Sequence, residues 1–178
     1  LTGGSDGEFL AHYDISEFLA GVKGVPTLPA KPIRSLLRLT EAATAIPGVS
    51  KLLEKTPVAG ILQLQAFHRL QLEMGRSGVI FIAAISGSAA GGALELCLSC
   101  DLRYAIDDIE LAQPELMLGF PTGGGGSQRL TRLIGPGRAM EMMLAGRILS
   151  GREAYEWGLV NDTWPKMDFM REVMKIAE

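Results

Sequence analysis

The stretch Ile82-Ala83-Ala84-Ile85-Ser86-Gly87-Ser88-Ala89-Ala90-Gly91-Gly92-Ala93-Leu94-Glu95-Leu96 decides the fold. The apolar run that leads into it, 79–85, has the length and β-branched content of a buried strand. Residues 86–92 are all Gly, Ser or Ala, which predicts a tight turn, and 92–99 then reads as a helix. A buried strand feeding a helix through a small-residue turn is a unit of α/β architecture. Glu95 is the only charged residue between Arg76 and Asp101, and it is flanked by Leu94 and Leu96. Desolvation disfavours a carboxylate in such surroundings, so its pKa is expected to rise toward the range useful for proton transfer. The alternative is a helix position that faces solvent.

Downstream the alternation continues. Residues 102–106 and 109–112 read as strands, the second running into Gln113-Pro114-Glu115. A glycine loop at 121–126 precedes a helix over 128–133 with Ser127 as its cap, and another helix covers 138–144. Ser150 and Glu153 form a capping box before a helix that ends at Gly158, and 159–163 is a last short strand. Met167, Met170, Met174 and Ala177 make an apolar stripe at helical spacing with no cap after it, so the chain reads as a fragment open at both ends. Upstream, 8–13 is extended and Asp14 with Glu17 opens a short helix. Residues 21–32 are a loop, and 33–45 and 57–74 are helical, the latter presenting Ile61, Leu64, Phe67, Leu70 and Met74 on one face. Nothing between 21 and 76 looks chemical.

Composition excludes several classes. The 178 residues hold 47% hydrophobic and 21% charged side chains, which suits one globular domain. A net charge of −3 gives no electrostatic footprint for nucleic acid. Two cysteines, Cys97 and Cys100, cannot make a disulfide framework and fit a reducing compartment such as the cytoplasm, mitochondrion or peroxisome. With only His12 and His68 beside them, no four-ligand zinc site assembles, and no metal is expected. The uncharged stretch 77–94 reaches the length of a membrane span, but its glycines and serines break it, so no membrane partner is expected.

The glycine-rich segments narrow the chemistry further. Gly123-Gly124-Gly125-Gly126-Ser127-Gln128 lacks the Lys of a phosphate loop, and residues 87–92 miss the spacing of a dinucleotide fold. Neither fits the turn that carries a nucleophilic serine. Both are glycine turns that open a helix, where free N–H groups bind a carbonyl oxygen or water, or else glycine simply permits tight packing. Glu115, in a turn after a strand, gains interest only if it converges with Glu95. Cys97 and Cys100 suit small core positions, His68 a structural place on its helix, and Arg129 and Arg132 surface charges.

The ordered segments resemble the enoyl-CoA hydratase/isomerase (crotonase) family. The central stretch above resembles its main motif. The similarity continues through Cys100-Asp101-Leu102-Arg103-Tyr104-Ala105, Gln113-Pro114-Glu115, Leu118-Gly119, residues 123–130 and residues 146–160. Upstream, Phe9-Leu10-Ala11-His12-Tyr13-Asp14-Ile15 is similar to the family's F-x-A-G-A-D-[IL] segment. The resemblance implies a spiral of ββα units, incomplete at both ends, as part of a single domain. The core would be 79–163, with an atypically long helical insertion at 21–76 and the start of a C-terminal helical region at 166–178.

The same resemblance implies the site. The backbone N–H groups of Tyr13 and Gly92 would form an oxyanion hole for a thioester oxygen. Glu95 and Glu115 would act on water and the substrate carbons, and the Gly123 amide would position the water. Ala11, Tyr13 and Gly91 would line the substrate. His12 and Tyr13 depart from the family's Gly-Ala; the backbone N–H survives, while the bulky side chains reshape the CoA entrance. The implied function is hydration of a 2-enoyl-CoA, with CoA arriving as part of the substrate and no separate cofactor, in a homotrimer or hexamer. An enoyl-CoA isomerase or another acyl-CoA enolate reaction is the chemical alternative. A non-catalytic CoA-binding or assembly subunit is the alternative of another class.

Overall fold

The computed structural model describes residues 1–3, 9 and 59–178, with isolated positions at 35, 37–40, 42, 43, 46, 49, 53 and 56. Its contacts divide the chain into two compact units, Leu1–His12 with Gln71–Glu178, and Tyr13–Leu70. In the second unit the described positions at 35, 37–40, 42 and 43 are helical. There the Gln65 amide donates to the Leu37 carbonyl at 3.2 Å. Helix α1 is Ala59–Arg76, and of its residues Gln71 and Met74 are buried, whereas Leu64 and Leu70 of the expected apolar face are exposed.

The first unit is mixed α/β. Along the chain run β1 (Ile82–Ile85), β2 (Ala89–Ala90), α2 (Gly92–Cys97), β3 (Leu102–Ile106), β4 (Glu110–Ala112) and a 3-10 turn (Glu115–Leu118). After these come α3 (Gly126–Ile134), α4 (Pro136–Leu144), β5 (Leu149–Ser150), α5 (Gly151–Trp157), β6 (Asp162–Trp164) and α6 (Lys166–Ala177). One sheet has the order β1-β3-β6, all parallel; the other has β2-β4-β5, with β2 and β4 parallel and β5 antiparallel. The first two pairs, β1 with β2 and β3 with β4, each place one strand in either sheet before the chain turns into helix, which is the winding of a ββα spiral; β5 then joins the second sheet and β6 the first. Ala83, Ile85, Leu94, Cys97, Leu111, Leu130, Met142 and Leu149 fill the core between them.

Several elements depart from the sequence expectation. β1 begins only at Ile82, where its parallel partner begins at Leu102, and among the described residues 79–81 join no ladder. Val79 and Ile80 are exposed, and Phe81 instead braces the next turn: its N–H donates to Asp101 Oδ2 at 2.8 Å. The Phe81 carbonyl accepts from the Asp101 N–H at 2.9 Å. The last strand starts at Asp162 rather than at 159. Residues 159–161 are spent on Arg103, whose guanidinium donates to the Leu159 carbonyl at 3.0 Å and whose own carbonyl accepts from the Asn161 N–H at 2.7 Å. The capping box at Ser150 and Glu153 forms as expected.

α3 begins at Gly126, two residues earlier than predicted, and Ser127 does not cap it; its hydroxyl donates to Gln128 Oε1 at 3.0 Å. A carboxylate from elsewhere in the chain meets the helix start instead. On α6 the buried residues are Phe169 and Val173, which face β1, β3 and β6, with the Phe169 ring 6.5 Å from that of Trp164. Met167, Met170 and Met174 of the expected stripe point outward and are exposed.

Candidate active site

β2 and β4 are adjacent parallel strands with Ala90 opposite Ala112, and each ends in a turn that leads to a glutamate. The carboxyl ends of parallel strands are where α/β folds place ligands, because the chain there turns outward into loops. After β2 the chain passes through Gly91, whose N–H continues the pairing by donating to the Ala112 carbonyl at 3.1 Å. Gly91 has φ +55° and ψ −126°, a conformation that side chains rarely adopt. It turns the chain into α2, where Ala93, Leu94, Glu95 and Cys97 are all buried. Gly92 is the first residue of α2, so its N–H is one of the helix-start donors with no intrahelical acceptor.

Glu95 is 4% exposed, and its Oε1 accepts the Gly126 N–H at 2.8 Å. This bond serves two needs at once: it satisfies an orphan donor at the start of α3, and it supplies a buried charge with a partner. A methyl group on Gly126 would lie 3.0 Å from Glu95 Oε1 and 2.6 Å from Thr122 Cγ2, so the approach requires glycine there.

After β4, Glu115 opens the 3-10 turn and is 6% exposed. Its Oε1 lies against Gly91, where an added methyl would come within 3.2 Å. The Thr122 hydroxyl donates to Glu115 Oε2 at 3.5 Å. Gln113, fully buried, faces the same carboxyl: with its amide nitrogen turned toward it, it donates to both Oε1 and Oε2 at 3.0 Å. With the amide turned over, the nitrogen faces the Gly91 carbonyl at 3.4 Å. A primary amide can thus serve the ionised carboxyl through its N–H groups or the neutral one through its oxygen.

Burial pushes the Glu115 carboxyl above the ordinary carboxylate range, and the negative charge of Glu95 adds to the rise. Its own backbone N–H and the Thr122 hydroxyl pull the other way. Two acidic side chains, one from α2 and one from the 3-10 turn, therefore feel each other, with Glu115 lying against Gly91. Cys97 and Cys100 are buried thiols; burial pushes Cys97 up to about 12, with Cys100 adding to it, so neither is primed as a nucleophile.

Gly123, expected to position water, is exposed. Ala11 and Tyr13, with the neighbouring His12, lie outside the described residues. Gln113 and Gly126 are the contributors that sequence reasoning misses. A backbone donor has no side-chain signature, and Gln113 reads only as part of a Gln-Pro-Glu turn. An open cleft of about 470 Å³ is lined by Gln71, Arg76, Cys100, Arg103, Arg129 and Arg132 among others, and neither glutamate borders it. Among the described residues no group of three His, Cys, Asp or Glu could hold a metal ion. No helix among them is long and apolar enough to cross a membrane.

The model of the Enoyl-CoA hydratase/isomerase family matches residues 54–178. The chain belongs to the enoyl-CoA hydratase/isomerase family. It is 43% identical over 97 residues to the mitochondrial enoyl-CoA hydratase of Pongo abelii, an alignment covering 54% of this chain and 33% of that protein. It is 35% identical over 170 residues to the fatty acid oxidation complex subunit alpha of Shewanella putrefaciens, covering 92% of this chain and 23% of that protein. Its structure is similar to that of an enoyl-CoA hydratase from Bacillus anthracis, with a TM-score of 0.69 and 30% identity, covering 99% of this chain and 55% of that one. The chain thus spans about half or less of the length of these relatives. Its alternating sheets are the crotonase fold of this family.

Proposed function

We propose that the site hydrates a 2-enoyl-CoA thioester to a 3-hydroxyacyl-CoA. The observation that carries this reading is the pair of buried carboxyls, Glu95 and Glu115, which follow two paired strands and interact with each other, with Glu115 Oε1 against Gly91. The mitochondrial enoyl-CoA hydratase of Pongo abelii and the crotonyl-CoA hydratase of Syntrophomonas wolfei, each 43% identical over about half the chain, support the same substrate class.

In this reading Glu95 works as the carboxylate. The Gly126 N–H favours its charged form, which suits a group that orients water and takes its proton. Glu115 works as the acid, since its raised pKa favours the neutral form that can deliver a proton. The water oxygen bonds to the β-carbon and its proton passes to Glu95. The proton of Glu115 goes to the α-carbon on the same face, giving syn addition. Proton exchange between the two carboxyls restores the starting state.

The intermediate charge falls on the thioester oxygen, where the Gly92 N–H and the Tyr13 N–H are the proposed donors. Losing one such donor typically costs about 2.7–4 kcal/mol of transition-state stabilisation. Ala11 and Gly91 are proposed to line the substrate and Gly123 to help hold the water. The chemistry calls on no metal or redox group, CoA being part of the substrate, and the proposed assembly is a homotrimer or hexamer.

Incubating the full-length protein with a panel of enoyl-CoA thioesters, read by mass spectrometry, tests the proposal. Gain of one water by at least one 2-enoyl thioester supports it. Double-bond migration without water gain, or no reaction across the panel, overturns it.

A further inference from the structure

We propose that Arg129 is a positioning residue for Glu95, acting through the glycine turn 123–126 whose last amide holds that carboxylate. The proposal rests on the reading of Glu95 as a reacting group. The Arg129 Nη1 donates in two directions, to Gln71 Oε1 at 2.9 Å and to the Gly124 carbonyl at 3.3 Å. Gly125 lies directly under the guanidinium, at φ +100°, and a Cβ there would collide with Nη1. The next residue, Gly126, gives its N–H to Glu95. One side chain therefore covers the turn, ties its carbonyl, and fixes it against the end of α1.

Gln71 strengthens the inference. It is 3% exposed, and its Nε2 has no hydrogen-bond partner among the described residues. Turning the amide over would set that N–H group against the Arg129 donor and lose the bond to Oε1. An orphaned buried donor is costly, so the side chain's orientation is dictated by Arg129. The guanidinium is thereby clamped on one side by a buried amide oxygen and on the other by the turn it covers. Arg129 is half-buried and committed to these acceptors, which corrects its sequence reading as a surface charge.

The consequence for the site is geometric. The Gly126 N–H bond to Glu95 is short, and its strength depends on where the turn holds that amide. Releasing the turn shifts the donor, and a displacement near 1 Å in a reacting constellation can cost about 10²-fold in rate. The hydrogen bonds of Arg129 go to Gln71 and to the Gly124 carbonyl, so its substitution is expected to act on kcat through the turn rather than on KM.

The test uses the full-length protein with Arg129→Met and Arg129→Lys, each carried also in the Glu95→Gln background. The first readout is the proton shift of the Gly126 amide followed against pH by NMR, which needs no substrate. The amide signal should follow Glu95 ionisation in the wild type and lose at least about half of that response in Arg129→Met, with recovery in Arg129→Lys. An unchanged response in Arg129→Met overturns the proposal. The second readout is kinetic: kcat falls about tenfold in Arg129→Met with KM held within about twofold, and the Glu95→Gln background shows no further fall. Multiplicative losses in the two backgrounds overturn it. If Arg129→Met does not fold, Gln71→Leu, which removes one clamp, is expected to reduce the same amide response, and failure to do so overturns the proposal. Wild-type turnover by Glu95→Gln together with the expected amide response would sink the hydration reading while leaving the link from Arg129 to Glu95 standing.

Discussion

The backbone N–H of Gly126 meets Oε1 of Glu95 at 2.8 Å, across 31 positions of sequence. One helix start and one buried carboxylate thus solve each other's problem. Glu115, by contrast, has its pKa raised, first by burial and then by the neighbouring Glu95.

That difference gives a stability signature. The folded-state pKa of Glu115 lies above its unfolded value, so folding is favoured most at pH below the ordinary carboxylate range. Stability is then lost as pH rises through the raised folded value. Glu115→Gln removes the buried charge. Its melting temperature should therefore gain on that of the wild type as pH increases from about 4 to 8, with little difference at the acid end. A constant offset across the range would mean that Glu115 does not titrate in this way.

Gln113→Leu tests the amide against Glu115. Removing two N–H donors at 3.0 Å takes support from the ionised carboxyl and raises its pKa further. If Glu115 must be protonated to act, activity falls as pH rises through that pKa, and the alkaline limb of the rate profile should move upward. A limb that stays in place would separate Gln113 from the titration.

Gly151→Ala should destabilise the fold without touching the site. A Cβ at Gly151 would run into the carbonyl of Ile106, backbone that cannot yield easily. The expected loss is about 1–3 kcal/mol by chemical denaturation, in the range of overpacked cores. Wild-type stability would show that the β3–α5 junction is looser than described.

The outward face of α6 predicts association. Met167, Met170, Met174 and Ile176 are exposed along one helix, with Met167 95% accessible. Covering apolar surface is worth about 25 cal/mol per Å². Sedimentation of the full-length protein should give an oligomer that Met170→Glu with Met174→Glu weakens. A monomer at micromolar concentration would assign this face to a contact within one chain.

Much of this arrangement is legible in the sequence. Glu95 stands out because it is the only charge between Arg76 and Asp101, and burial follows from its neighbours. The strand-turn-helix order around 82–96 and the Ser150–Glu153 capping box follow from local chemistry alone. The beginning of β1 does not, since it depends on where Leu102 pairs, a partner twenty residues away. The buried side of α6 is equally hidden: the helical period allows a Phe169–Val173 stripe as well as a methionine one, and only the strands beneath select it. Gly126 and Arg129 escape for the same reason, because their roles belong to tertiary neighbours, Glu95 and Gln71.

Steady-state hydration of a short 2-enoyl-CoA by the full-length wild type, Glu95→Gln and Glu115→Gln decides whether the two carboxyls carry the reaction. Both substitutions keep size and remove proton transfer. Each is expected to lower kcat by at least ~10²-fold with KM changed no more than about twofold. Wild-type turnover in either variant would contradict that role.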